Sequence, residues 1–399
     1  MNIAISTVME FNPQLGGTER VSSNLAVAFE QLGHTVYFVA MREFPNTQRY
    51  PYKPVVEQMM LPNSLIADSE ENINCFTSFL VEKKIDILIN QAGILADFSN
   101  LCIAVKARTN VKLLSVLHFD PARIIKQYKA EPSLLLYRSA IVRYLYVFLK
   151  KIFFFRLKLH MKACSNLYKR LYIESDAVIL LSDYYKTVFK SLARLDVTTK
   201  LRSIPNALSF SIFEEICPKE KQIIWVGRMC VWAKRPDRLV QIWSYLEDKH
   251  PDWQVLFLGD GPYKPKLEQF VKQLGLKNIR FGGFTDPQEA YRQSSIICMT
   301  STHEGFGMVL IEAMQFGVVP MAFNSFESLD DIIEEGITGY KIKPFDLKQY
   351  ACRLEMLMTD ENKRMQIALN ARKLVTEKFG TQQIIKKWIT LFEQVSFKK

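Results

Sequence analysis

The chain reads as an α/β protein of two Rossmann-like doubly wound domains facing each other across a cleft. Three observations predict this. A length of 399 residues exceeds one ordinary core and fits two domains of about 200 residues each. Short apolar runs alternate with helical patterns, which argues parallel sheets covered by helices on both faces. The alternation breaks at Ile204-Pro205-Asn206-Ala207 and the irregular Ser209–Lys221, then restarts. The first domain is expected over 1–205 and the second over 206–380, with the last helical stretch, 381–399, packing back onto the first.

In the first half, strand Ile3–Val8 leads through a glycine loop into a helix over about Arg20–Leu32, which Gly33 ends as a left-handed cap. Val36–Ala40, Ile85–Asn90, Lys112–Leu117 and Ala177–Leu181 are the following strands. The second half opens with strand Gln222–Val226. Strands Val255–Leu258, Ile279–Phe281, Ile296–Met299 and Val318–Ala322 then alternate with helices near Pro236–Leu246, Lys264–Leu274, Pro287–Gln293 and Met308–Phe316. Ligands of such folds bind at the carboxyl ends of the strands.

Composition narrows the class. A content of 48% hydrophobic residues describes a packed globular protein, and no run of about 18 apolar, uncharged residues is present to span a bilayer. The apolar Met1–Val8 lacks a basic leader, so no signal peptide is expected. Seven scattered cysteines, with no Cys-x-x-Cys pair, favour a reducing, cytoplasmic setting without structural zinc. The net charge of +11 is uneven: residues 1–205 hold 26 Lys+Arg against 17 Asp+Glu, and residues 206–399 hold 26 against 24.

Most of that excess lies in 132–173, which has no acid. Arg138, Arg143, Lys150, Lys151, Arg156, Lys158, Lys162, Lys169 and Arg170 are interleaved there with aromatic residues. Such a segment reads as a surface for anionic lipid head groups, which places the protein on the inner face of the cell membrane as a peripheral partner. The plainer alternative is a helix pair with an apolar core side and a solvated basic side. Nucleic acid is not expected as a partner, because no recognition motif accompanies the charge.

The chemistry concentrates between Thr302 and Met314, where Glu304 and Glu312 stand eight residues apart. A glycine-punctuated loop runs there into an apolar helix. A helix starting near Phe306 or Gly307 aims its free N–H groups, including those of Met308 and Val309, at an anion in front of it. A phosphate between two carboxylates describes a nucleotide sugar. Glu312 is suited to accept both hydroxyls of a ribose. It is embedded in Val309-Leu-Ile-Glu-Ala-Met314, and a carboxylate buried there needs partners.

Arg228 and Lys234 follow the first strand of the second half and are placed to neutralise a leaving diphosphate. A Lys-Arg pair in front of the Pro236 helix is unfavourable to its dipole, which itself points to a nearby anion. Gly16 and Gly17 lie between a strand and a helix, where glycine lets backbone approach a diphosphate; Gly17 is the stronger candidate. Glu19 reads as a helix-start carboxylate serving local N–H groups. His118 emerges at the carboxyl end of Leu113–Leu117, placed to bond a sugar hydroxyl or the acceptor. His303, beside Glu304, is a weaker candidate. Gly259-Asp260-Gly261-Pro262 reads as a sharp turn, and Asp330-Asp331 as an acidic helix start rather than a metal site.

Taken in order, Gly16-Gly17-Thr18-Glu19-Arg20, His118, Val226-Gly227-Arg228 with Lys234, Gly259–Pro262, and Glu304 to Glu312 around Gly305-Phe306-Gly307 resemble the family-4 glycosyltransferases of the GT-B fold. The resemblance covers nearly the whole chain. It is strong from Gln222 to Gly339 and thin between 42 and 110. One departure stands out: five residues, Met229 to Ala233, separate Arg228 from Lys234, where the family usually has four.

The resemblance implies a retaining transferase in surface polysaccharide or lipopolysaccharide biosynthesis. It would move a hexose or N-acetylhexosamine from a nucleotide sugar, expected as UDP-linked, to a lipid-linked or other glycan acceptor. It implies that Arg228 and Lys234 touch the diphosphate, that Glu304 binds the donor sugar, and that Phe284 contacts the base. The expected catalytic set is Glu304, His118, Lys234 and Arg228. Gly17, Phe284, Phe306, Gly307, Met308, Val309 and Glu312 are expected in donor binding, with no metal or other cofactor required. The rival readings are a non-catalytic GT-B-fold binding protein, or a phosphorylase or epimerase of the same fold. A dinucleotide oxidoreductase is disfavoured, since no Gly-x-Gly-x-x-Gly follows the first strand.

Overall fold

The computed structural model describes residues 1–14, 16–43, 53–129, 145, 148, 154–210 and 218–396. Its residues cluster into two compact units. The first comprises Met1–Pro121, Lys162–Ser209 and Gly380–Lys399; the second comprises Ala122–Met161 and Phe210–Phe379.

The first unit is organised by a parallel sheet in the order β3-β2-β1-β4-β5-β6-β7. Its strands are β1 (Asn2–Met9), β2 (Thr35–Arg42), β3 (Glu57–Met60), β4 (Ile87–Asn90), β5 (Lys112–Leu117), β6 (Ala177–Leu180) and β7 (Leu201–Ser203). The central strands β4, β5 and β6 are almost continuously apolar and buried, as a sheet covered on both faces requires. The Glu70–Glu82 helix begins where Ser69 accepts the Asn72 N–H at 3.3 Å, with Glu70 and Glu71 favouring its positive end. The last helix, Thr381–Ser396, packs on the Gly17–Gln31 helix. Phe29 meets Phe392 and Trp388 there at ring separations of 5.2 and 6.3 Å.

The second unit repeats the architecture with the order β10-β9-β8-β11-β12-β13. These strands are β8 (Gln222–Val226), β9 (Gln254–Leu258), β10 (Ile279–Gly283), β11 (Ile296–Met299), β12 (Val319–Phe323) and β13 (Tyr340–Ile342), all paired in parallel. One core runs from Trp225, Phe257 and Trp243 to Leu354 and Ile367. Buried polar groups inside it are satisfied: Tyr350 donates to Met321 O at 2.7 Å and Trp243 Nε1 to Glu247 Oε1 at 2.8 Å.

The expected strands appear within a residue or two of their bounds. β3, β7 and β13 were not expected, and each lies at a sheet edge. Among the described residues, 122–129 group with the second unit, where the ammonium of Lys126 pairs with Glu327 and donates to Ser325 O at 3.1 Å.

Of the basic segment 132–173, most residues before Phe154 lie outside the described residues. The described part is the Phe154–Glu174 helix. Its apolar side is core: Tyr168 stacks on Phe189 and donates to Pro121 O at 3.0 Å. Lys158, Lys162, Lys169 and Arg170 are exposed. Among the described residues, no helix is long and apolar enough to cross a membrane.

Trp388→Ala should lower the unfolding free energy of the first unit by about 3 kcal/mol, since it removes a ring that is 3% exposed between two helices. Urea unfolding followed by circular dichroism checks this.

Candidate active site

The second unit carries most of the expected residues, on loops that leave the carboxyl ends of its strands. These loops are laced together through backbone. Gly227 N donates to Leu258 O at 3.0 Å, Met229 N to Asp260 O at 2.8 Å, and Gly259 N to Gly283 O at 2.7 Å. Gly259 has φ +129°, and a Cβ there would fall 1.9 Å from Gly227 O. The Gly259–Pro262 turn is thus required by close backbone approach.

The Arg228 side chain leaves this frame exposed and makes no hydrogen bond among the described residues, while its carbonyl accepts from Cys230 N at 2.8 Å. The five-residue connection to Lys234 is pinned by Met229 and Val231, which are 0% and 1% exposed; Trp232 faces outward. Thr302 N donates to Ala233 O at 2.7 Å, and Thr300 Oγ1 to Arg235 O at 2.9 Å, which bind the loop to the end of β11.

Lys234 Nζ donates to both oxygens of Glu304, at 2.7 and 2.9 Å. Ser301 Oγ donates to the same carboxylate at 2.5 Å. Next along the chain, Arg235 sits in the left-handed region at φ +50° and pairs with Asp237 at 3.0 Å, both side chains buried. The anion anticipated beside this basic pair is therefore supplied by the chain itself, as Glu304 for Lys234 and Asp237 for Arg235. Holding a non-glycine residue in this backbone region costs on the order of 1–3 kcal/mol, which the buried pair offsets.

Gly307, at φ +97°, caps the Met308–Gln315 helix. The N–H groups of Met308 and Val309 at its start have no intrahelical partner by construction, while Leu310 N donates to Gly307 O at 2.9 Å. The Phe306 ring is buried edge-on against Phe379 at 5.3 Å, which leaves its backbone rather than its side chain for any ligand. Glu312 is 3% exposed, and Tyr291 Oη donates to its Oε2 at 3.5 Å. Phe284 is 46% exposed. His303 is half-buried, and burial lowers its pKa against the opposing pull of Glu304. Asp330 and Asp331 pair with Lys341 and Lys378, at 2.6 and 3.1 Å.

In the first unit, Gly16 is the extended residue before the Gly17–Gln31 helix. A Cβ on Gly16 would meet Glu19 Oε2 at 2.0 Å, whereas Gly17 opens onto space. Burial raises the Glu19 pKa, opposed by the hydrogen bond to its own N–H. His118 follows β5, and its Nε2 meets Gln91 Oε1 at 2.5 Å. Burial alone pushes its pKa down to about 4.

The structure thus brings Arg228, Lys234, Glu304, the Phe306–Val309 amides, Glu312 and Phe284 into one unit, and Gly17 and His118 into the other. Three groups were missed. Ser301 stands three residues before Glu304, a spacing that signals it. Tyr291 and Gln91 had no such signal.

Residues 15–210 match the family described as Glycosyltransferase Family 4, and residues 211–374 match Glycosyl transferases group 1. The chain belongs to the family-4 glycosyltransferases and has their GT-B fold; it is a glycosyltransferase.

An uncharacterized glycosyltransferase of Haemophilus influenzae is 26% identical over 382 residues, covering 94% of this chain and 95% of that one. The poly(ribitol-phosphate) alpha-N-acetylglucosaminyltransferase of Staphylococcus aureus is 28% identical over 51% of this chain and 43% of its own. Among solved structures, Anabaena HepE with UDP and glucose superposes with a TM-score of 0.74 at 16% identity, covering 99% and 100% of the two chains. Sucrose-phosphate synthase of Thermosynechococcus elongatus gives 0.76 at 18%, covering 99% and 98%.

The depressed pKa of His118 has a defined effect on stability. The unfolded chain binds a proton near pH 6.5 and the folded chain only near 4. Stability is therefore fully present above pH 6.5 and is lost as pH falls toward 4. His118→Gln should abolish at most about 2 kcal/mol of the loss between pH 7 and pH 5, read as the difference between the two proteins' urea stabilities.

Proposed function

We propose that this enzyme moves a hexose or N-acetylhexosamine from a UDP-linked donor, with retention, to a hydroxyl of a membrane-associated glycan in surface polysaccharide or lipopolysaccharide biosynthesis. The observation that carries the reading is the Lys234–Glu304 pair beside the amide-rich start of the Met308–Gln315 helix. A cation, a carboxylate and orphan amides together match a diphosphate joined to a polyol.

In the proposed reaction the bond between C1 of the sugar and the β-phosphate oxygen breaks, and its electron pair stays on the diphosphate. The acceptor oxygen bonds to C1 on the same face and its proton passes to the departing phosphate. Arg228, Lys234, Gly17 and the amides from Phe306 to Val309 stabilise the developing charge in place of a metal ion. Glu304 and His118 orient the sugar. Glu312, accepting from Tyr291, is suited to hold the ribose hydroxyls, and the exposed Phe284 the base.

The relatives support the choice of donor and acceptor by their names. HepE was solved with UDP and glucose. An alpha-1,4-N-acetyl-D-galactosaminyltransferase of Campylobacter jejuni, 26% identical over 46% of this chain, is named for a diNAcBac-PP-undecaprenol acceptor. The exposed basic residues of the Phe154–Glu174 helix fit an anionic membrane surface on the cytoplasmic side.

Lys234→Ala should cut turnover of a UDP-sugar by roughly 100-fold with the fold, read by circular dichroism, little changed, in an assay containing EDTA. Near-normal turnover would defeat the assignment. The enzyme should co-sediment with anionic vesicles and not with neutral ones; equal recovery with both would remove the membrane from this reading.

A further inference from the structure

Beyond the charged loops of the second unit, the first unit holds a neutral pair that the reaction has not yet used in full. His118 follows β5 and Gln91 follows β4, and these strands are adjacent. Their backbones are pinned to each other. Gly93 N donates to Val116 O at 3.2 Å, and a Cβ on Gly93 would lie 2.6 Å from that same oxygen. Gln91 N donates to Ser6 O at 2.9 Å, and Asn90 Oδ1 accepts from Ala92 N at 2.9 Å. The Gln91 side chain therefore springs from a fixed base.

That side chain is 3% exposed. Its oxygen meets His118 Nε2 at 2.5 Å, while its Nε2 is buried with no hydrogen-bond partner. Burying an amide nitrogen unpaired costs about 1–3 kcal/mol, and a Leu or Met would fill the space without that cost. The polar group at this position is therefore explained by its one bond, to His118, and not by packing. A carbonyl oxygen facing Nε2 requires that nitrogen to carry the proton.

We propose that Gln91 is a positioning residue for the transfer: its amide oxygen fixes the neutral Nε2–H tautomer of His118 and leaves Nδ1 as a bare acceptor for a substrate hydroxyl. The proposal rests on the transferase reading for the hydroxyl and on geometry alone for the tautomer. An amide suits this role better than a carboxylate, because it orients the ring without stabilising its charged form. The surroundings agree. The small cavity behind the pair is lined by Val21, Leu25, Leu181, Ile204, Ile384 and Trp388, none of them titratable. The nearest carboxylate along the chain is Asp120, two residues on.

The test uses the full chain labelled with ¹⁵N-histidine. Long-range ¹H–¹⁵N correlation reads the His118 tautomer, its signals assigned by their loss in His118→Gln. The wild type should show Nε2 protonated and Nδ1 bare at pH 7. Gln91→Met should keep or raise the melting temperature, mix the tautomers and lower kcat/KM at least tenfold. Gln91→Glu should raise the histidine's titration and give kcat/KM an acidic limb, falling roughly tenfold for each pH unit below the new pKa, where the wild type stays flat. An Nδ1–H tautomer in the wild type overturns the proposal. So does a Gln91→Met enzyme with wild-type kcat/KM, or a Gln91→Glu profile that superposes on the parent's. If the wild type transfers no sugar, the transferase reading fails while the spectrum still decides the tautomer.

Discussion

The candidate site depends on one ammonium group. Lys234 is held by both oxygens of Glu304. Under the proposed function, a diphosphate at this loop would compete with that carboxylate for the same donors. Handing Lys234 to phosphate would release Glu304 to accept from hydroxyls of the sugar, linking the two binding events, and neither group would be left buried and uncompensated, which is the costly alternative. Neighbouring residues hold the pair in place. Ser301 steadies the carboxylate, the strained Arg235 fixes the backbone beside the lysine, and the Gly227–Gly259 approach holds the floor.

The first unit works by a different physical means. Burial pushes the pKa of His118 down to about 4, so its imidazole is neutral over the physiological range. The proposed function gives the two sets different tasks, ionic groups for the charge on the leaving group and this uncharged donor–acceptor pair for hydroxyls. The last helix supports the pair, since Ile384 and Trp388 line the cavity behind the histidine.

Much of this was legible in the sequence, for identifiable reasons. Buried parallel strands such as Ile296–Met299 announce themselves as short apolar runs, and a helix opened by Gly307 announces its free amides. Glu312 stood out because a carboxylate inside Val309–Met314 demands a partner. What the sequence hid was pairing across the chain. Nothing near Glu304 reveals that Lys234, seventy residues earlier, is its partner. Tyr291 and Gln91 carry no local pattern, because their meaning lies in Glu312 and His118. Within the basic stretch the same holds: Tyr168, set among charged neighbours in the sequence, is core in three dimensions.

The three strands that escaped notice, β3, β7 and β13, escaped because polar and charged residues interrupt them: Glu57 and Gln58, Arg202, and Lys341. Those residues occupy the margins of both sheets. A sheet margin offers unpaired backbone groups to any passing strand, and charge placed there discourages the approach. Glu57 with Lys83, and Lys341 with Asp330, keep that charge in place through ion pairs. The same polarity that conceals these segments from a reader of the sequence shields the folded chain from self-association and fibre growth.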